Sequence, residues 1–310
     1  MTTAAQTDLL AEAPVRVTRG IVYGRAAVGF GGAVTMRELK LDRYEPEPGA
    51  GAEPERALAA AGSPRPVVLL AFGGAFHRGR REDDTFEGGN TAIAAYCRAF
   101  AATGLVACSI DYRLVPEDPL PGDTPAVFDA RRIPRSRVDH VRALMGLPPA
   151  TDAMLWRGIE AASDDMAMAA RYVINQADAW RIDPARLVLG GFSAGARTAL
   201  NAAFAERVPC AAVVSLSGYI DVADLAVHGD SLTLGRRPAV LLVRAERDLD
   251  YIAAATPAMA AELRRLGVPC ECAEVPGRDH FYPADAIATH ETRGVGTVGA
   301  IVQEFVARAL

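Results

Sequence analysis

Lysine is almost missing from this 310-residue sequence. Lys40 is the only one, and arginine carries the rest of the positive charge, a bias we read as coding preference. With a net charge of −5 there is no basic excess to neutralise phosphates, which argues against nucleic acid as a partner. Cysteine is sparse as well. Cys97, Cys108, Cys210, Cys270 and Cys272 are odd in number, scattered and mostly set in apolar runs, a pattern of reduced thiols rather than of a disulfide framework. Cys270-Glu271-Cys272 has no second His/Cys pair near it in the sequence, so no metal site is expected there. Met1 to Ala13 contains no apolar segment of the signal-peptide kind, and no apolar run reaches the roughly 18 residues of a membrane span. A soluble, cytoplasmic protein is the expectation; oligomeric state is not readable, and a homodimer stays open.

What the chain does have is apolar content. Half of its residues are hydrophobic and 23% are charged, enough for a sizeable core. No internal repeat and no clean boundary appears, so residues 15–310 are read as one domain behind a mobile tail, 1–14.

The pattern alternates between strand and helix. Val15 to Tyr23 and Met36 to Tyr44 read as an antiparallel pair joined at Gly29-Phe30-Gly31-Gly32. Glu45 to Pro66 reads as a long surface loop. Val67 to Phe72 is a continuous apolar run, as expected of a strand buried in a parallel sheet. Further strands are expected at Leu105 to Ile110, Leu187 to Leu189, Cys210 to Leu216, Ala239 to Val243 and, as the last, Glu271 to Val275. Helices are expected at Thr91 to Thr103, Ser136 to Met145, Ala161 to Ala179 with Ser163 as its cap, Arg197 to Phe204, Ala253 to Leu266 and Gly294 to Ala309. Such alternation implies a mostly parallel sheet with helices on both faces, in which function gathers at the carboxyl ends of the strands.

One stretch organises the rest. Gly191-Phe192-Ser193-Ala194-Gly195 stands between an apolar strand and an alanine-rich helix, the context in which G-x-S-x-G is a nucleophile elbow. A serine hydroxyl is a poor nucleophile alone. It needs a base, a carboxylate to orient that base, and N–H donors aimed at the developing oxyanion. Of five histidines, His280 is the candidate base: it lies downstream of Ser193, in a loop directly after the last expected strand. His290 is expected on a helix and His228 in a polar loop. The strand Ala239 to Val243 empties into Arg244-Ala245-Glu246-Arg247-Asp248-Leu249-Asp250, so Asp248 is the first choice of acid, Asp250 the second and Glu246 the third. The small residues of Phe72-Gly73-Gly74-Ala75-Phe76 let backbone N–H groups converge, and those of Gly74 and Ala75, with that of Ala194, are assigned to the oxyanion hole.

With these residues in view, the chain resembles the α/β-hydrolase fold, and within it the carboxylesterases of the hormone-sensitive-lipase-like and type-B groups. Phe72 to Phe76 resembles their HGGGF/HGGAF motif. Asp111-Tyr112-Arg113-Leu114-Val115-Pro116-Glu117 resembles their DYRLAPE segment, whose implied role is structural support. Gly191 to Gly195 matches the GxSAG elbow, Asp248 falls where their acid falls, and Gly277 to Phe281 is similar to GxxHxF. The departures are Phe72 in place of the first histidine, His280 and Phe281 being adjacent, and the 22 residues Ser217 to Pro238, too few for a large inserted lid.

The resemblance implies a serine hydrolase of small carboxylic esters working through an acyl-enzyme on Ser193, with no metal or organic cofactor. Amide, formamide or thioester hydrolysis, and acyl transfer or cyclisation, use the same parts. A catalytically silent binder of a small ligand is the alternative from another class. Leu114 to Trp156 is a candidate cover carrying Phe128, Leu144, Met145, Leu147, Met154, Leu155 and Trp156, although the same residues would equally suit packing onto the sheet.

Overall fold

Val67, Val68 and Leu69 are fully buried, and a strand this apolar needs partners on both edges. The computed structural model, which describes residues 14–29, 32–47, 63–82, 89–230 and 237–310, supplies them. β3 (Arg65–Ala71) pairs in parallel with β4 (Val106–Ile110) on one side and β5 (Ile182–Phe192) on the other. Beyond β5 the parallel pairing continues through β6 (Ala212–Leu216), β7 (Ala239–Arg247) and β8 (Cys270–Asp279). β1 (Val15–Val28) and β2 (Thr35–Pro46) form the antiparallel edge anticipated for them, with β2 joined to β4. At the opposite edge β9 (Ile287–His290) and β10 (Gly294–Thr297) return antiparallel. Among the described residues the sheet order is β1-β2-β4-β3-β5-β6-β7-β8-β9-β10.

Around this sheet lie α1 (Ile93–Ala102), α2 (Ser136–Leu144), α3 (Asp152–Asn175), the single turn α4 (Ala177–Trp180), α5 (Ala194–Phe204), α6 (Val222–Asp230), α7 (Asp250–Arg265) and α8 (Val298–Ala309). Every residue of α5 is buried, which its alanines permit by bringing the helix close to the strands. No helix among the described residues is long and apolar enough to cross a membrane. All five cysteines are free thiols.

Several elements differ from the sequence reading. The long helix α3 begins at Asp152, not Ala161, because the Thr151 hydroxyl caps it by accepting from the Met154 N–H at 3.2 Å. Ser163 is therefore not a cap. It is buried in mid-helix, and its hydroxyl donates back to the Ile159 carbonyl at 2.8 Å. Glu271 to Val275 is not in the last strand: β9 and β10 follow it, and Gly294 to Thr297 is strand rather than helix. His290 consequently sits on β9, facing Glu271 at 2.8 Å, and His228 sits buried on α6 rather than in a loop. Phe30 and Gly31 of the expected glycine turn, residues 1–13 of the expected tail and residues 48–62 of the expected loop lie outside the described residues.

Candidate active site

β5 ends where α5 begins, and Ser193 is the hinge between them, with φ 53° and ψ −114°. A non-glycine residue is rarely held there, and the strain persists because the surroundings fix it. Its N–H donates to the Leu216 carbonyl at 2.7 Å, so β6 anchors the turn from beside it. A Cβ at Gly195 would overlap the Ala71 carbonyl oxygen, so the close approach of α5 to β3 requires glycine at that position.

The carboxyl ends of β7 and β8 deliver the partners. His280 Nε2 lies 2.9 Å from Ser193 Oγ, and His280 Nδ1 lies 2.6 Å from Asp248 Oδ1. Both His280 and Asp248 are buried, at 5% and 6% exposure. The structure thus brings together Ser193, His280 and Asp248. It does not bring in the two other acids: Glu246 is exposed and accepts the Gly277 N–H at 2.5 Å, while Asp250 is exposed in the first turn of α7. Burial pushes the Asp248 carboxyl up, but the His280 hydrogen bond and charge, the Ser217 hydroxyl and the Ala245 N–H outweigh it, holding Asp248 below the ordinary carboxylate value.

Two residues that the sequence reading passed over complete this corner. Ser217 Oγ donates to Asp248 Oδ2 at 2.5 Å and lies 3.0 Å from the Tyr282 hydroxyl. Because the only Ser217 proton is engaged by the carboxylate, the Tyr282 O–H is the donor of that second bond. Ser217 follows directly on β6, the strand beside the elbow strand, and that placement was the available signal.

The Gly73-Gly74-Ala75-Phe76 loop packs against the elbow. Gly74 has φ +126°, and a Cβ there would overlap the Arg78 carbonyl oxygen; Ala75 and Phe76 are also left-handed, at φ 55° and 59°. Among the described residues, the N–H groups of Gly74, Ala75 and Ala194 donate to no protein acceptor. His77, another residue the sequence reading did not single out, braces this loop. Its Nδ1 is 2.7 Å from the Ala75 carbonyl and its Nε2 is 3.1 Å from Arg142 Nη1. An arginine only donates, so Nε2 accepts and the proton sits on Nδ1. Burial lowers the His77 pKa, favouring that neutral ring.

The segment resembling DYRLAPE is tied to the same loop. The Tyr112 hydroxyl donates to the Phe72 carbonyl at 2.9 Å and its ring stacks on Phe72 at 4.5 Å. Arg113 is buried against Asp165, whose Oδ2 also accepts the Arg113 N–H at 2.7 Å. Glu117 accepts the Leu114 N–H at 2.7 Å and the Arg37 guanidinium at 2.5 Å.

A cleft of about 470 Å³, counting its open mouth, opens over Ser193. Ala75 and Ala194 line it directly. From the segment 114–156 it is lined by Ile133, Pro134, Arg137, Val138 and Leu155, of which only Leu155 was among the apolar residues singled out from sequence. Phe128, Leu144 and Met145 are instead exposed, and the Trp156 indole N–H donates to the Val127 carbonyl at 3.1 Å.

No protein-family model and no curated protein sequence matches the chain. Solved structures do. Esterase 2 of Thermogutta terrifontis phosphoramylated by tabun is 16% identical with a TM-score of 0.54, the match covering 96% of each chain. A bacterial heroin esterase is 18% identical with a TM-score of 0.54, over 97% of this chain and 85% of the other. An alpha/beta hydrolase enzyme from a Medee basin deep-sea metagenome library is 16% identical with a TM-score of 0.52, over 86% of this chain and 84% of the other. With the parallel sheet, the strand–serine–helix turn and these likenesses together, the chain has the α/β-hydrolase fold.

Proposed function

We propose that this protein is a serine hydrolase of small carboxylic esters, with Ser193, His280 and Asp248 as its catalytic residues. The unbroken hydrogen-bonded line from Ser193 Oγ through His280 to Asp248, at 2.9 and 2.6 Å, carries the proposal. Ser193 Oγ attacks the ester carbonyl carbon as its proton passes to His280 Nε2. Asp248 accepts from Nδ1–H, fixing the ring's tautomer and stabilising the imidazolium. The negative oxygen is held by the N–H groups of Gly74, Ala75 and Ala194, whose positions are fixed before substrate arrives. The C–O bond to the alcohol then breaks, and the alcohol leaves with the His280 proton. Water repeats the cycle on the acyl-enzyme: His280 takes one water proton, the hydroxyl adds to the carbonyl, and Ser193 leaves reprotonated.

The domain consistent with this reading is 15–310, with 114–156 as the cover of the cleft and small molecules as substrates. The acidic charge balance favours such ligands over nucleic acid. The five free thiols suit the cytoplasm. One Thermogutta terrifontis esterase 2 structure is described as phosphorylated by paraoxon, which is chemistry that an activated nucleophile undergoes.

The test is turnover of p-nitrophenyl esters of increasing acyl length, alongside covalent labelling by an organophosphonate. The wild type should hydrolyse the short esters and take up one label per chain, and Ser193→Ala should do neither. A wild type that is unlabelled and as inert as Ser193→Ala would overturn the proposal in favour of a silent binder.

A further inference from the structure

The cleft over Ser193 holds a charge that the hydrolysis of a plain ester does not use. Arg197 lies on α5, one turn beyond Ser193, at 6% exposure, and lines the cleft. Among the described residues its guanidinium makes no hydrogen bond and no ion pair, and its Nε is a buried donor with no acceptor. Its one described contact is with a ring, the guanidinium carbon lying 5.2 Å from the centre of Tyr219. The acids that feel its charge are engaged elsewhere. Asp224 accepts from Arg132 at 3.0 Å and from the Phe128 N–H at 3.3 Å. Glu160 accepts the N–H groups of Ala126 and Val127 at 2.7 and 2.8 Å.

An arginine taken out of water without an anion is costly, and burial depresses its pKa here. A buried donor without a partner calls for an explanation, and a bound anion supplies one. The lining agrees: among the described residues it includes Arg137 as well as Arg197, and no aspartate or glutamate. A planar guanidinium with its N–H groups unspent matches a carboxylate, which it can bind through two parallel hydrogen bonds.

We propose that the substrate carries a carboxylate of its own, on the acyl or the alcohol side of the ester, and that Arg197 binds it. This rests on the hydrolase reading above and narrows it to anionic esters. With Ser193 and Arg197 both lining the cleft, the anion anchors the substrate while the ester carbonyl meets the nucleophile.

Two pairs of substrates separate the sources of the charge. On the acyl side, mono-p-nitrophenyl adipate is compared with p-nitrophenyl hexanoate; on the alcohol side, m-carboxyphenyl butyrate is compared with phenyl butyrate. The quantity read is the ratio of kcat/KM, anionic over neutral, within each pair. One pair should favour the anionic ester by about tenfold or more in the wild type, a preference expressed mainly in KM. Arg197→Met should bring that ratio to one or below, and Arg197→Lys should recover part of it. Wild-type ratios at or below one in both pairs overturn the proposal, as does a ratio unchanged in Arg197→Met.

If Arg197→Met does not fold, inhibition decides. Adipate or benzoate should compete with p-nitrophenyl butyrate in the wild type and compete less in Arg197→Lys; no inhibition by either counts against the site. If no ester is turned over at all, the hydrolase reading has failed, and calorimetric binding of the same two carboxylates to the wild type tests the anion site alone. Binding that is weakened in Arg197→Lys supports it, and no binding sinks it.

Discussion

Ser217 and Asp248, 31 positions apart, are joined at 2.5 Å through the carboxylate oxygen that His280 leaves free. The carboxylate is therefore held from both sides: Oδ1 faces the imidazole, and Oδ2 takes the Ser217 hydroxyl and the Ala245 N–H at 3.1 Å. A hydrogen bond to a charged acceptor contributes about 1.5–3 kcal/mol. Ser217→Ala removes one bond that lowers the Asp248 pKa, so the carboxyl keeps its proton to higher pH. The expected result is a kcat lowered by about tenfold, with the acid limb of the pH–rate profile displaced upward. Coincident profiles for variant and wild type would show that the second bond leaves the dyad unaffected.

The choice among three neighbouring acids gives a sharper contrast. In Asp248→Asn the amide oxygen stays with the Ser217 and Ala245 donors and the NH₂ faces His280 Nδ1, so the wrong tautomer is held and kcat should fall by about 10³–10⁴-fold. Asp250→Asn touches only the exposed first turn of α7, where a negative charge is worth about 0.3–1 kcal/mol. It should leave kcat within about twofold and lower thermal stability slightly. Equal losses in the two variants would mean that position 248 is not the acid.

How far these features could be read from residues alone follows from how local their causes are. The elbow at Ser193 was legible because its glycines and its strand and helix are contiguous. His280 was legible from its place after a strand, and the buried strands from unbroken apolar runs such as Val67 to Leu70. Choosing among Glu246, Asp248 and Asp250 was not a local question: it depends on a β7–β8 register that only folding reveals. β9 and β10 were missed because they are four residues each and partly exposed, with no alternation long enough to register, and β10 carries two glycines. The first nine residues of α3 were hidden behind a proline-rich approach, where Thr151 and Ser163 compete as caps on sequence alone. Arg197 had a signal of its own: a long charged side chain one turn after Ser193, on a helix otherwise small enough to be buried throughout.

Backbone geometry at the loop proposed to hold the oxyanion offers a test that leaves Ser193, His280 and Asp248 in place. Gly74→Ala sets a Cβ against the Arg78 carbonyl oxygen at a backbone conformation, φ +126°, that alanine resists. The loop must shift, and its N–H groups with it. Losing an oxyanion donor costs about 10²–10³-fold in kcat, and Gly74→Ala should approach that loss while the far-UV spectrum is retained. Gly296→Ala, where a Cβ meets only ordinary contacts at 3.6 Å or more, is the matched control. A fully active Gly74→Ala enzyme would remove Gly74 and Ala75 from the mechanism.

Glu160, buried beneath the loop that carries Ala126 and Val127, gives the fold a pH dependence of definite sign. Burial raises its carboxyl from 4.5 to about 7, against the lowering effect of the two backbone N–H bonds it accepts. Between those values the folded chain binds more proton than the unfolded one, so its stability falls as pH rises through that window and levels off above it. Below about pH 4.5 the group is protonated in both states and contributes nothing to the slope. The full loss between about pH 5 and pH 8 is on the order of 2–3 kcal/mol. Glu160→Gln abolishes this titration. It also sets an amide NH₂ against one of the two N–H donors, an unsatisfied contact that costs about 1–3 kcal/mol at every pH. Urea unfolding at about pH 5 and pH 8 separates the two effects. The variant should be less stable than the wild type at about pH 5, and by about pH 8 that gap should have shrunk by about the size of the lost titration, closing or reversing. His77 and His228, whose pKa values burial lowers, make stability rise with pH instead, but they are present in both proteins and cancel from the comparison. A gap of the same width at both pH values would mean that Glu160 does not titrate in this window.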